Sequence, residues 1–188
     1  MVVVGLLLLP PVAWSAKFDY DSILKKWTRG DEAYNWTNLE ARLVWKATYL
    51  SPMMLDALIA KTSELYDVDP EEATKYLQEE KRDRDKYDTF IVSIYAGSRE
   101  HPEIGKDRNL WRMVLETPGD RPVEPAIWEP FPKTHLTYVL YPFQDRWSKT
   151  YIVKFPKITQ MQTPELELKM VGIPADSTLK WDLAKLQK

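Results

Sequence analysis

Two glutamates in a proline-rich stretch come nearest, by type and spacing, to catalytic chemistry. Arg121-Pro122-Val123-Glu124-Pro125-Ala126-Ile127-Trp128-Glu129-Pro130 sets Glu124 and Glu129 on either side of Trp128. A glycosidase needs two carboxyl groups at a fixed separation, one to protonate the leaving oxygen and one to act as base or nucleophile. An indole beside an acid raises its pKa by desolvation, and a ring in a stiff loop can stack on a sugar. The plainer reading is a surface loop whose tryptophan covers a sheet edge. A cell-wall or polysaccharide hydrolase using this pair therefore stands as an alternative, and no residue is assigned as catalytic.

Other chemistries find less material. The two histidines, His101 and His135, fall in no zinc-binding spacing and read as ordinary loop-edge residues. Ser98 follows Gly97 but precedes Arg99 and Glu100, so no nucleophile elbow forms. Six glycines in the chain build neither phosphate-cradling motif. Cysteine is absent, which excludes disulfides, thiolate metal sites, cysteine nucleophiles and an acylated N-terminal cysteine. No metal and no cofactor are expected.

Aromatic residues are the richer signal, with 8 Trp, 10 Tyr and 5 Phe. Trp45, Trp111 and Trp181 sit on the apolar side of alternating segments and read as core. Trp36, Trp128 and Trp147 read as loop residues. Loop tryptophans beside polar residues can anchor a partner, because aromatics dominate binding hot spots. The candidate partner-binding set is Trp128, Tyr141, Phe143, Arg146 and Trp147. Asn35-Trp36-Thr37 matches a glycosylation sequon, which reads as chance.

These residues must be positioned by a mixed set of elements. Asp19–Thr28 reads as a short helix carrying Ile23, Leu24 and Trp27 on one face, with Gly30 of Arg29-Gly30-Asp31 as its C-cap. From Leu39 to Leu50, apolar residues alternate at Leu39, Ala41, Leu43, Trp45, Ala47 and Tyr49, the mark of a half-buried strand. Ser51-Pro52 opens a helix with a buried stripe of Leu55, Leu58, Ile59, Thr62 and Leu65. Asp69-Pro70-Glu71-Glu72 opens a second, running to about Lys86. Its latter half is polar all round and is expected to project into water. Opposite charges four apart (Glu71 with Lys75, Glu80 with Arg84, Lys81 with Asp85) support it.

The remainder follows period 2. Expected strands carry Phe90, Val92, Ile94 and Ala96; then Trp111, Met113 and Leu115; then Leu136, Tyr138 and Leu140; then Tyr151, Val153 and Phe155. Leu166, Leu168 and Met170 form the next, and Leu179, Trp181 and Leu183 the last. The expected fold is α+β: a curved antiparallel sheet or small β-sandwich of about six to seven strands. Two consecutive helices are inserted after the first strand and cover a sheet face or end.

The chain is 188 residues long with a net charge of −2, so no overall field favours nucleic acid or an anionic membrane. Arg146–Lys188 holds eight basic and four acidic residues, read as solvated strand faces or a surface for an acidic partner. Val2–Leu9 is almost wholly aliphatic, Pro10-Pro11 breaks it, and Ala13-Trp14-Ser15 offers a small-residue cleavage site before Ala16. Residues 1–15 therefore read as a signal-peptide-like leader and 16–188 as one globular domain. The apolar run is too short to span a bilayer, which takes about 20 residues, and no basic residue precedes it.

The expected function is that of an exported, periplasmic or secreted, non-catalytic protein that binds an unknown protein or envelope component. The alternatives are the hydrolase above and a carrier of an apolar small ligand, since a curved antiparallel sheet capped by helices can enclose a cavity. The carrier requires a pocket of about 300 Å³ or more lined by leucine and aromatic side chains.

Overall fold

Strand formation here follows the alternation, and the computed structural model shows what lies on each side of it. Residues 19–35, 37, 40–96, 111–159, 163–173 and 175–186 are described. The leader-like residues 1–15, and also Trp36, Leu39, Ser98 and His101, lie outside them. Among the described residues the order is α1 (Tyr20–Trp27), β1 (Thr28–Asn35), β2 (Glu40–Tyr49), α2 (Pro52–Tyr66), α3 (Pro70–Tyr76), α4 (Gln78–Asp83) and β3 (Tyr87–Ala96). Then come β4 (Trp111–Glu116), β5 (Ile127–Pro130), α5 (His135–Leu140), β6 (Lys149–Pro156), β7 (Glu165–Gly172), β8 (Ser177–Asp182) and α6 (Leu183–Leu186). One open antiparallel sheet runs β1-β2-β3-β6-β5 and a second runs β4-β7-β8. The fold is α+β. None of its described helices is long and apolar enough to cross a membrane.

Register explains the layers. Trp45 opposes Ile94, Ala47 opposes Val92 and Tyr49 opposes Phe90; Phe90 and Val92 in turn oppose Val153 and Tyr151. Directly opposed residues share a face. On this face Phe90 lies 5.4 Å from Trp181, and the Trp45 indole N–H donates to Ser177 Oγ at 2.8 Å. The three-stranded sheet therefore packs here. The other face presents Thr48, Thr89, Ile91, Ser93, Thr150 and Lys154. Lys154 Nζ meets Asp83 Oδ2 at 3.0 Å, which places α4 on that side. Covered twice, β3 is buried from Asp88 through Ile94 rather than half-buried.

The helix starts form where the capping residues stand. Asp19 accepts from the Ser22 N–H, Ser51 from the Met54 N–H and Asp69 from the Glu72 N–H, with Pro52 and Pro70 in the first helical turn. In α2, Leu55, Leu58 and Thr62 are buried as the stripe requires, together with Met54 and Ala57, while Leu65 is exposed. Trp45, Trp111 and Trp181 are core residues.

Four local expectations are corrected. Arg29, Gly30 and Asp31 lie in β1 and pair with Ala47, Lys46 and Trp45. The end of α1 is capped instead by the Arg29 guanidinium, which donates to Lys26 O at 3.0 Å and Thr28 O at 2.8 Å. Gly30 is where a side chain would collide: a Cβ would come 2.8 Å from Lys46 Cγ. This polar edge strand has no buried residue and lacks alternation, and because of it the helices follow the second strand and the strands number eight among the described residues.

Second, Leu136–Tyr141 is not a strand. Thr134 and Thr137 form a reciprocal capping box, and His135–Leu140 is helical. Leu136 and Leu140 fit an i,i+4 helix face as well as a period of two, so six residues did not separate the two. Third, the helix from Asp69 breaks at Leu77 (φ −119°, ψ 21°) into α3 and α4. Fourth, the latter half does not simply face water, because the break lets Asp83 reach buried Lys154.

The outer face of the three-stranded sheet carries part of the charge of the C-terminal third. Lys169 pairs with Glu116 and Glu167, and Lys180 with Glu167 and Glu165. Hydrogen bonding by Lys180 holds the Glu167 carboxyl below its ordinary range. These basic residues are thus neutralised across neighbouring strands on a solvated face.

Candidate functional site

Several chain ends converge at one end of the two-sheet stack. Strand β2 finishes at Tyr49, and the Leu50 N–H continues its pairing to Thr89 O at 2.9 Å before Ser51 caps α2. Helix α1 ends at Trp27, whose carbonyl accepts from the Trp181 indole N–H at 2.8 Å. Strand β6 runs out at Pro156, and the Lys157 N–H is tied to Lys86 O at 2.9 Å. Leu183 opens α6 directly after β8. Between these ends lies a half-open cleft of about 630 Å³. Trp27, Tyr49, Leu50 and Leu183 give it an apolar floor; Met53, Arg84, Asp85, Lys157 and Thr159 line it further. Small-molecule sites span about 300–1,000 Å³ and combine apolar walls with a few polar groups.

Asp88 organises the polar wall. It is completely buried, on the inward side of β3 in step with Phe90. Its Oδ2 accepts from the N–H groups of Ile158 at 2.9 Å and Thr159 at 3.0 Å. Its Oδ1 accepts from the Tyr49 hydroxyl at 2.9 Å and the Thr159 hydroxyl at 2.5 Å, with Lys157 Nζ also 2.9 Å away. A buried carboxylate is tolerated because it is paired and hydrogen-bonded. It holds segment 157–159 beyond the end of the sheet ladder. Burial, and then the Asp88 charge, push the Tyr49 phenol well above its ordinary pKa, so it remains a neutral donor. Trp27 and Tyr49 meet edge to face at 5.9 Å, and Tyr49 and Phe90 at 5.1 Å, so the floor is continuous with the inter-sheet core. The phenol is thus held as a donor and the carboxylate's acceptors are filled by the protein's own groups.

The residues singled out from sequence lie elsewhere. Glu124 is exposed and pairs with Arg112 at 2.6 Å. Glu129 is exposed on β5, where alternation turns it to the opposite side from Trp128. Trp128 is a strand residue rather than a loop residue, half-buried and edge-on to Tyr151 at 5.9 Å. Tyr141 is buried, 5.6 Å from Phe131 and 5.9 Å from half-buried Phe143. Its hydroxyl-bearing ring is thus part of the core. Arg146 and Trp147 are exposed, with the guanidinium 4.5 Å from the indole centroid. Trp147 is 68% exposed. The structure therefore joins Tyr141 to Phe143 and Arg146 to Trp147, but it does not present the five as one open aromatic surface. His135 is the first residue of α5. Among the described residues, no cluster of three or more His, Asp or Glu could hold a metal ion.

Sequence reasoning missed the cleft because its lining comes from separate segments. One signal was present: Asp88 falls in phase with Phe90, Val92 and Ile94, and an acid at an inward position must be satisfied by something built for it. No family model, curated protein or solved structure matches this chain.

Proposed function

We propose that this protein is a non-catalytic carrier or receptor for a small, largely apolar molecule seated in the cleft at the end of the two sheets. The observation that carries the reading is the 630 Å³ volume floored by Trp27, Tyr49, Leu50 and Leu183. Its volume falls within the range of known small-molecule sites, which supports the reading. The aliphatic run Val2–Leu9 and the following Ala13-Trp14-Ser15 support an exported protein. A second reading, docking of a protein partner, draws support from the exposed Trp147 with Arg146 over its ring.

The test is titration with N-phenylnaphthylamine, an apolar dye that brightens when it leaves water. Saturable binding at one site is expected, with emission from Trp27 quenched. Met53→Arg puts a charge on the cleft's exposed apolar edge and should weaken binding about tenfold, the equivalent of about 1.4 kcal/mol. No saturable binding, or equal binding by the Met53→Arg protein, would remove the carrier reading. Loss of partner capture only on Trp147→Ala would favour the docking surface instead.

A further inference from the structure

The cleft also indicates which head group its guest carries, an inference that rests on the carrier reading above. An ionised carboxylate offers about four acceptor positions. Four donors other than Lys157 already occupy Asp88: the N–H groups of Ile158 and Thr159 and the hydroxyls of Tyr49 and Thr159. Lys157 is a fifth. Its ammonium is held 2.9 Å from Oδ1 by charge, its side chain is 32% exposed, and it lines the cleft. An ammonium carries three donors, so one can meet a guest while another keeps the pairing with the buried Asp88 carboxylate. Arg84 lines the same cleft and is paired to its sequence neighbour Asp85 at 3.7 Å, with both side chains exposed. Exposed pairs of that kind are worth little, so this guanidinium is also available.

A cationic head would find only Asp85, against two basic side chains for an anionic one. Asp88 is completely buried with its acceptors filled, and the Asp85 side chain is 86% exposed. We infer that the cleft takes a single-chain amphipathic carboxylate. Its alkyl chain lies over Trp27, Tyr49, Leu50 and Leu183, and its carboxylate meets Lys157 Nζ with Arg84 as a second donor. Lys157 is the specificity-determining residue. It selects the acid over an alcohol of the same length.

The full-length chain loaded with N-phenylnaphthylamine tests this, with decanoate, decanol and decyltrimethylammonium as competitors. Decanoate is expected to displace the dye at least about fivefold more tightly than decanol, as one charge-assisted hydrogen bond at a half-exposed site provides. The cation should be the weakest of the three. Lys157→Met should abolish the preference for the acid while decanol still competes, and it should lower the melting temperature as well, because the buried Asp88 charge loses its counter-ion. Lys157→Arg should retain the preference. If decanoate and decanol compete equally, or if Lys157→Met keeps the preference, the head-group assignment falls and the carrier reading stands. If Lys157→Arg, which keeps the charge beside Asp88, loses the preference while melting like the wild type, the assignment falls as well. If no competitor displaces the dye and the dye itself does not bind, the carrier reading fails.

Discussion

On one side of β3, Phe90, Val92 and Ile94 meet the aromatic core shared with Trp181. On the other, Ile91 is flanked by Thr89 and Ser93, with Thr48 and Thr150 beside them and the Lys154–Asp83 pair at the edge. Both faces are buried, yet they work differently. The aromatic face gains from area and shape, which are non-directional. The polar face depends on specific pairings: Thr28 with Thr48 at 2.7 Å, Ser93 with Ser148 at 2.7 Å, Lys154 with Asp83. A slip of one residue between strands would exchange the faces and drive Lys154 into the aromatic core. The first face therefore supplies stability, and the second ensures that only one register is acceptable.

That contrast breaks first at Phe90, which is wholly buried and touches Tyr49, Phe155 and Trp181. Phe90→Ala should cost about 3–5 kcal/mol by urea unfolding, as large aromatic-to-alanine cavities do. On the polar face, Asp83→Asn leaves the buried Lys154 ammonium without its carboxylate. A loss of about 3 kcal/mol is expected, and Asp83→Leu combined with Lys154→Met should recover most of it. If the single and double variants are equally destabilised, the pair is not what holds α4 to the sheet.

The same pair predicts a pH dependence. Hydrogen bonding by Lys154 lowers the Asp83 carboxyl below its ordinary 3.8. Its folded pKa is the depressed one, so its contribution is complete above that ordinary value and is lost as pH falls through the folded value. The wild-type melting temperature should therefore drop more steeply below about pH 4 than that of the Asp83→Leu/Lys154→Met protein.

Smaller effects sharpen the comparison. The buried Thr150 hydroxyl has no hydrogen-bond partner. Thr150→Val should be neutral or stabilising by up to about 1 kcal/mol, whereas the same change at Thr48 should destabilise, because it leaves Thr28 without its mate. Trp147→Ala, on an exposed loop, should change stability by no more than about 0.5 kcal/mol. A larger loss there would mean that this indole belongs to the fold rather than to a surface.

Legibility in the sequence followed the range of the interactions. The Ser51-Pro52 and Asp69-Pro70 helix starts were readable because a cap and the N–H it satisfies lie within three residues. The alternation of Leu43, Trp45, Ala47 and Tyr49, or of Leu166, Leu168 and Met170, reports one buried face per strand. It was silent about β1, whose residues pair along an edge without burying one side. It misled at Leu136–Leu140, where the deciding feature was the Thr134–Thr137 box. It also gave no sign that β3 is covered twice, since Thr89 and Ser93 look like solvent-facing residues until Lys154 and Ser148 are placed beside them.

The amino-acid order alone determined the α+β class, most of the strands, the helix starts and the inward position of the large indoles, all of which depend on neighbours a few residues apart. Tertiary structure decided which strands share a sheet, which polar groups are buried, and where the cleft opens. Trp27, Tyr49, Lys157 and Leu183 come together only when strand ends far apart in the chain are brought to one end of the stack, and that depends on register and layer packing rather than on any local pattern.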